Sequence, residues 1–267
     1  MDDTMIQLAQ QEEDLVLTDA QIDWLLAHVG DLDGKIRDQT VYSLFGRGFF
    51  EGAASIEQQK RIIAVTTQEN NLFKDIEQPQ NDRVFLRSFT ALLAALFLEK
   101  ETTSKIMTPE QLDYWFTAAN KYLRTEQDWR GYVPENGWAH AIAHGSDLLA
   151  TVVAHPDYAE VDAALQTVRS VFARMQSPFL DDEEERLANI LVSMFNAEKC
   201  SLPQLADFLN NLNTILWTGY DDDDLATYYR ISAFEKFVRT IYFRLPAAAE
   251  ITRPIIDDYF HKMGYDN

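Results

Sequence analysis

One pattern of helix starts recurs along the whole chain and limits what it can fold into. Thr18-Asp19-Ala20-Gln21 is a capping box. Its hydroxyl can accept the exposed N–H of the third helical residue, and its Gln can reach back to the N–H of the capping residue. The pattern returns at Ser55/Gln58, Thr108/Gln111 and Ser201/Gln204, with an acidic version at Asp157/Glu160. Apolar residues flank several of these starts, as in Leu17/Ile22, Met107/Leu112 and Cys200/Leu205, which fits a hydrophobic staple. Residues 18, 55, 108, 157 and 201 are 37, 53, 49 and 44 positions apart. A period of about 40–47 residues with two helices per unit marks HEAT-like and armadillo-like arrays.

Helical periodicity places the first helix of each pair at 18–29, 56–75, 109–124, 158–175 and 202–216. The longer, more apolar second helices fall at 34–50, 82–99, 137–154, 182–198 and 224–244, with a last helix at 252–263. Asp3 to Leu15 reads as an amphipathic helix over the first unit. The prolines fall at or near the joints, where a missing N–H does least harm. No run of alternating β-branched residues suggests a sheet. The expected fold is all-α, an α-α superhelix of about five helix pairs. It forms one solenoid domain over 1–267, with an N-terminal capping helix at 1–16 and a C-terminal cap at 250–267.

Composition agrees: 46% hydrophobic and 25% charged residues, with 10 glycines and 8 prolines, describe a core-forming chain. The net charge of −20 argues against nucleic acid as a partner, because phosphate backbones need basic surfaces. The single cysteine, Cys200, can form neither an internal disulfide nor a cysteine zinc cluster. The longest apolar stretch, Phe89 to Leu98, is about half of a membrane span, and the opening Met1-Asp2-Asp3 is acidic where a signal peptide would be basic. A cytoplasmic protein with no membrane partner is the expectation.

The densest chemistry lies in Asp128-Trp129-Arg130-Gly131-Tyr132-Val133-Pro134-Glu135-Asn136-Gly137-Trp138 and the helix that follows, with His140, His144 and Asp147. At 100° per residue Trp138, Ile142, Leu149 and Val153 form a buried stripe. His140, His144, Asp147 and Thr151 share the opposite face, expected to line a concave surface. Two imidazoles four residues apart, about 6 Å along the axis, could hold one divalent metal, with no third ligand evident. The zincin glutamate is missing, since position 141 is Ala. The same residues could instead form a His144–Asp147 general base, with Tyr132 or Glu135 contributing from the loop. On the neighbouring helix, Arg83, Arg87 and Thr90 oppose the stripe Phe85, Phe89 and Leu93, and the corresponding faces elsewhere carry Gln39, Ser43, Arg47, Asn189, Ser193 and Lys236. Asp147 is the only carboxylate placed on these faces, which suggests a polar-to-basic groove with Arg83 and Arg87 clamping an anionic ligand. The acidic runs 181–185 and 221–224 fit helix N-termini.

The segments Arg130-Gly131-Tyr132, Gly137-Trp138-Ala139-His140, Ala143-His144 and Asp147-Leu148-Leu149 resemble the signature of an uncharacterised bacterial family, a domain of unknown function with a helical-repeat fold. Arg37-Asp38, Tyr42 and Arg87-Ser88-Phe89-Thr90-Ala91-Leu92 share the likeness, which spans roughly 18–245. It implies a helical repeat and carries no activity. The leading expectation is a binding or scaffold protein without a cofactor. Its groove, lined by Arg83, Arg87, Tyr132, Trp138, His140, His144 and Asp147, receives a small anionic ligand or a protein segment. The alternatives are a metal- or His/Asp-assisted hydrolase centred on His140, His144 and Asp147, and a purely architectural motif.

Overall fold

The computed structural model describes residues 1–12 and 14–265. Glu13, inside the expected first helix, and Asp266 and Asn267, in the expected C-terminal cap, lie outside the described residues. The chain is mainly helical: α1 (Asp2–Ala9), α2 (Asp19–Ala27), a π-helical stretch (Lys35–Tyr42) running into α3 (Ser43–Phe50), α4 (Ile56–Gln68), α5 (Arg83–Ser104) and α6 (Pro109–Thr125). There follow α7 (Ala141–Ala154), α8 (Val161–Arg174), α9 (Glu183–Asn196), α10 (Leu202–Thr218), α11 (Leu225–Arg244) and α12 (Ala249–Lys262). No described helix is long and apolar enough to cross a membrane.

Four of the five expected capping boxes form with both reciprocal bonds, at Thr18/Gln21, Ser55/Gln58, Thr108/Gln111 and Ser201/Gln204. The acidic one does not. Asp157 N–H donates to His155 Nδ1 at 3.2 Å, the Tyr158 hydroxyl donates to Glu160 O at 2.7 Å, and α8 begins only at Val161 without a side-chain cap. The buried His155 ring thus holds this turn by other means. The first helix stops at Ala9 rather than Leu15, and Leu15 and Leu17 are buried after it outside any helix.

The long helices pack in chain order, α5 on α7, α7 on α9 and α9 on α11, with α3 against α5. Their shorter partners adjoin one another as α2–α4, α4–α6 and α6–α8, while α10 packs on α11 and α12. One apolar core runs between them from Met5 to Tyr259. Within it Phe97 meets Trp115 edge-on at 5.1 Å and Phe49 at 6.3 Å. Helix α7 lies between α5, α6 and α9 and is buried over most of its surface. Small residues make this possible. A Cβ at Gly145 would lie 2.7 Å from the Tyr122 ring, closer than packing allows.

Candidate functional site: a cleft beside a strapped hairpin

Between α6 and α7 the chain leaves helix for fifteen residues, and buried charge organises the segment. Glu126 follows the last residue of α6 and is fully buried. Its carboxylate accepts Arg87 Nε at 2.7 Å and Nη2 at 2.8 Å, together with the N–H groups of Gln127 and Asp128 at 2.9 Å each. Burial opposes the Arg87 charge, but the Glu126 bonds and charge outweigh it and raise its pKa. Asp128, also buried, accepts Arg130 Nε at 2.8 Å and Nη2 at 2.6 Å. A two-residue hairpin follows, with Tyr132 opposite Trp138 and Val133 opposite Gly137. Glu135 (φ 70°), Gly137 (φ 79°) and His140 (φ 47°) adopt left-handed backbone. These residues delay α7 to Ala141 and leave Trp138 on a strand, 37% exposed, rather than in the expected helical core stripe.

A residue from the N-terminal part straps this hairpin. Arg37, fully buried on the π-helical stretch, donates through Nη2 to Asn136 O at 2.8 Å and Trp138 O at 3.1 Å, and through Nη1 to Asp31 O at 2.6 Å. Its guanidinium lies 4.3 Å from the Phe85 ring centre and 4.7 Å from that of Phe89, so π faces offset part of its lost hydration. Burial lowers its pKa to about 10, which leaves it charged at neutral pH.

The sequence candidates divide. Trp138 stacks on His140 (4.3 Å between ring centres, 10°), and His140 lies 5.5 Å from His144. These residues are together as expected. His144, however, is buried edge-on against Phe89 at 5.0 Å, because α5 covers the face that was expected to open outward. Burial, then the neighbouring His140, Arg186 and Arg37, hold its pKa well below 6.5, so its ring is neutral. Asp147 is taken by Arg186 Nη1 at 2.5 Å rather than by His144. Burial raises the Asp147 carboxyl against that cation. Glu183, at the start of α9, faces His140 Nδ1 at 3.6 Å. Burial pushes the Glu183 carboxyl up, but His140 and the surrounding N–H groups outweigh it and hold it below its ordinary value. Asp147 is therefore not the only carboxylate near this face.

Arg83 and Arg87 do not join the histidines. Arg83 is exposed and 4.0 Å from Asp75, while Arg87 has no exposed surface because the buried Glu126 requires a counter-charge. Among the described residues no three of His, Cys, Asp and Glu gather closely enough to hold a metal ion, so His140 and His144 gain no further ligand.

On the other side of the hairpin lies a cleft of about 1080 Å³, lined by Phe73, Lys121, Arg124, Trp129, Tyr132 and Arg174 among others. Such a volume is at the upper end of small-ligand sites, about 300–1,000 Å³. Tyr132 is the one predicted site residue lining it, and the exposed Tyr132 ring meets Trp138 edge-on at 4.9 Å. Glu183 lines it too, so the histidine cluster stands behind its wall. Trp129 is fixed by donation from Nε1 to Glu126 O at 3.1 Å and by stacking on Phe179 at 5.6 Å. The sequence reading gave no site role to Arg37, Glu126, Lys121, Arg124, Arg174 and Glu183. The i, i+3 spacing of Lys121 and Arg124 just before Trp129 was a usable signal for two of them.

Fold and site together define an all-helical protein with a polar, aromatic-lined surface cleft. The chain belongs to the family described as protein of unknown function (DUF2785), whose model matches residues 72–243. That range covers the histidine cluster and the cleft lining except Asn70, and leaves out Arg37. No curated protein and no solved structure matches the chain.

Proposed function

We propose that the protein acts by binding, and that the cleft beside the 129–138 segment is its recognition surface for a small ligand or a short partner segment. The observation carrying this reading is the cleft itself. It is large, and Trp129 and Arg174 of its aromatic and cationic lining are held in place by partly buried hydrogen bonds. This cleft replaces the groove between Arg83, Arg87 and the histidines. The chain-order packing of successive long helices also supports an α-solenoid of about five helix pairs as a single domain over 1–267, with 1–16 and 250–267 as its caps. A hydrolase centred on His140, His144 and Asp147 is the second reading, favoured by the buried Nδ1 of His144, which has no hydrogen-bond partner. An ester or phosphoester hydrolysis lost in a His140→Ala/His144→Ala double variant would put it first.

The binding reading is tested by thermal shift against a panel of small neutral, cationic and anionic molecules and short peptides. The comparison is Ser177→Trp, which places an indole at an exposed position of the cleft lining. Compounds should stabilise the wild type and lose that effect in the variant. A panel without hits, or hits that stabilise both proteins equally, would overturn the proposal.

A further inference from the structure

Carboxylates outnumber Lys and Arg in this chain by 43 to 23, so a cation without a carboxylate partner inside a cavity is unexpected. Four cationic side chains line the cleft, Lys121, Arg124, Arg130 and Arg174, against three carboxylates, Glu77, Asp181 and Glu183. The chain-wide excess of carboxylates is thus absent there. Of the four, Arg130 is neutralised by Asp128. Among the described residues, Lys121, Arg124 and Arg174 form no ion pair within 4.0 Å.

Neutral groups position these three cations instead. Arg124 donates from Nε to Thr167 Oγ1 at 2.8 Å and from Nη2 to Ala163 O at 2.6 Å. Arg174 donates from Nη1 to Glu126 O at 3.0 Å and from Nη2 to Leu123 O, which sets its guanidinium at the end of α6, beyond Arg124. Its Nε is buried without a partner. Lys121 Nζ sits 4.6 Å from the Phe73 ring centre. Carbonyls, a hydroxyl and a π face orient a cation without cancelling its charge, so these three charges are preorganised. The carboxylates are not paired with these cations: Asp181 accepts Tyr132 N–H at 2.9 Å, and Glu183 accepts Asp181 N–H at 3.0 Å while facing His140.

We infer that the cleft holds an oxyanion subsite, formed by Lys121, Arg124 and Arg174, for the phosphate or carboxylate group of its ligand. The inference rests on the binding reading above and specifies the charge of what is bound. The aromatic rings of Trp129 and Phe73 flank the subsite and suit the less polar remainder of such a ligand.

The test is titration with two probes, inorganic phosphate and citrate, followed by calorimetry. The expected result is saturable binding of at least one probe that weakens as chloride is raised. Lys121→Gln should weaken it about tenfold, as loss of one charge-assisted contact does. Arg124→Lys, which keeps the charge, should retain binding better than Arg124→Gln. Lys60→Gln, on the exposed surface of α4, is the control and should change nothing. Phosphate binding alone points to a phosphorylated ligand, and citrate alone to a carboxylate. Absence of saturable binding, or equal losses in Lys121→Gln and Lys60→Gln, would overturn the oxyanion subsite. The cleft would still stand as a binding surface if neutral or cationic panel compounds lose their effect in Ser177→Trp.

Discussion

A charged or titratable side chain enters a protein core only when its surroundings replace the water it loses. Arg37, Arg87, Glu126 and Asp128 meet that condition with hydrogen bonds, and His144 meets it by staying neutral. The His144 case fixes a pH dependence. Its pKa in the folded chain lies well below the ordinary 6.5, so below that pH the unfolded chain takes up a proton that the folded chain refuses. Its contribution to stability is therefore full above about pH 6.5 and falls as the pH drops, by up to about 1.4 kcal/mol per pH unit. His155, lowered by burial as well, acts in the same direction. Asp147 is raised by burial and acts with the opposite sign at lower pH, nearer its ordinary 3.8. Urea unfolding between about pH 6.5 and 5 should show a shallower slope in His144→Gln than in the wild type. Equal slopes would mean that His144 takes up its proton alike in the folded and the unfolded chain. The spacing of His140, His144 and Asp147 was readable in the sequence, whereas their partners were not. Periodicity tells which residues share a helix face but not that Phe89 of α5 and Arg186 of α9 cover that face.

At the level of elements, capping chemistry was the most legible signal, because it depends on residues three positions apart rather than on the rest of the fold. Four Ser/Thr boxes form, and most helix ends fall within a few residues of expectation. The acidic start at Asp157 fails because a neighbouring ring, His155, provides the turn's hydrogen bond. The two cases differ in their expected cost. Thr108→Ala should destabilise by about 1 kcal/mol, the usual value of an N-cap. Asp157→Ala, which removes no helix cap, should change stability by less than about 0.5 kcal/mol. Denaturation midpoints of the two variants settle the comparison, and equal losses would contradict the observed cap geometry. The hairpin was not legible. Its left-handed positions include Glu135, a residue type that gives no local sign of positive φ.

Over the whole molecule, the all-helical class and the order of helices were readable, since amphipathic periodicity reports directly on burial. The long-range strap was not: Arg37 acts across about a hundred residues of chain and lies outside the matched family region. Arg37→Lys keeps the charge but loses the fork that reaches Asp31, Asn136 and Trp138 together. It should cost about 2 kcal/mol and speed amide exchange of residues 131–139. Unchanged exchange in that segment would show that the hairpin stands without its strap. The same hairpin separates the histidine cluster from the cleft, so its rigidity bears on the proposed binding surface.

The most direct test of the cleft as that surface follows the indole N–H resonances of the tryptophans during titration with the most stabilising panel compound, with Trp129→Phe assigning the key signal. The expected result is a saturable shift of Trp129, which lines the cleft, with Trp217 unmoved, since it packs against Tyr220 and Lys262 well away from the site. A shift at Trp217 or Trp24 with Trp129 unchanged would place binding elsewhere and contradict the assignment.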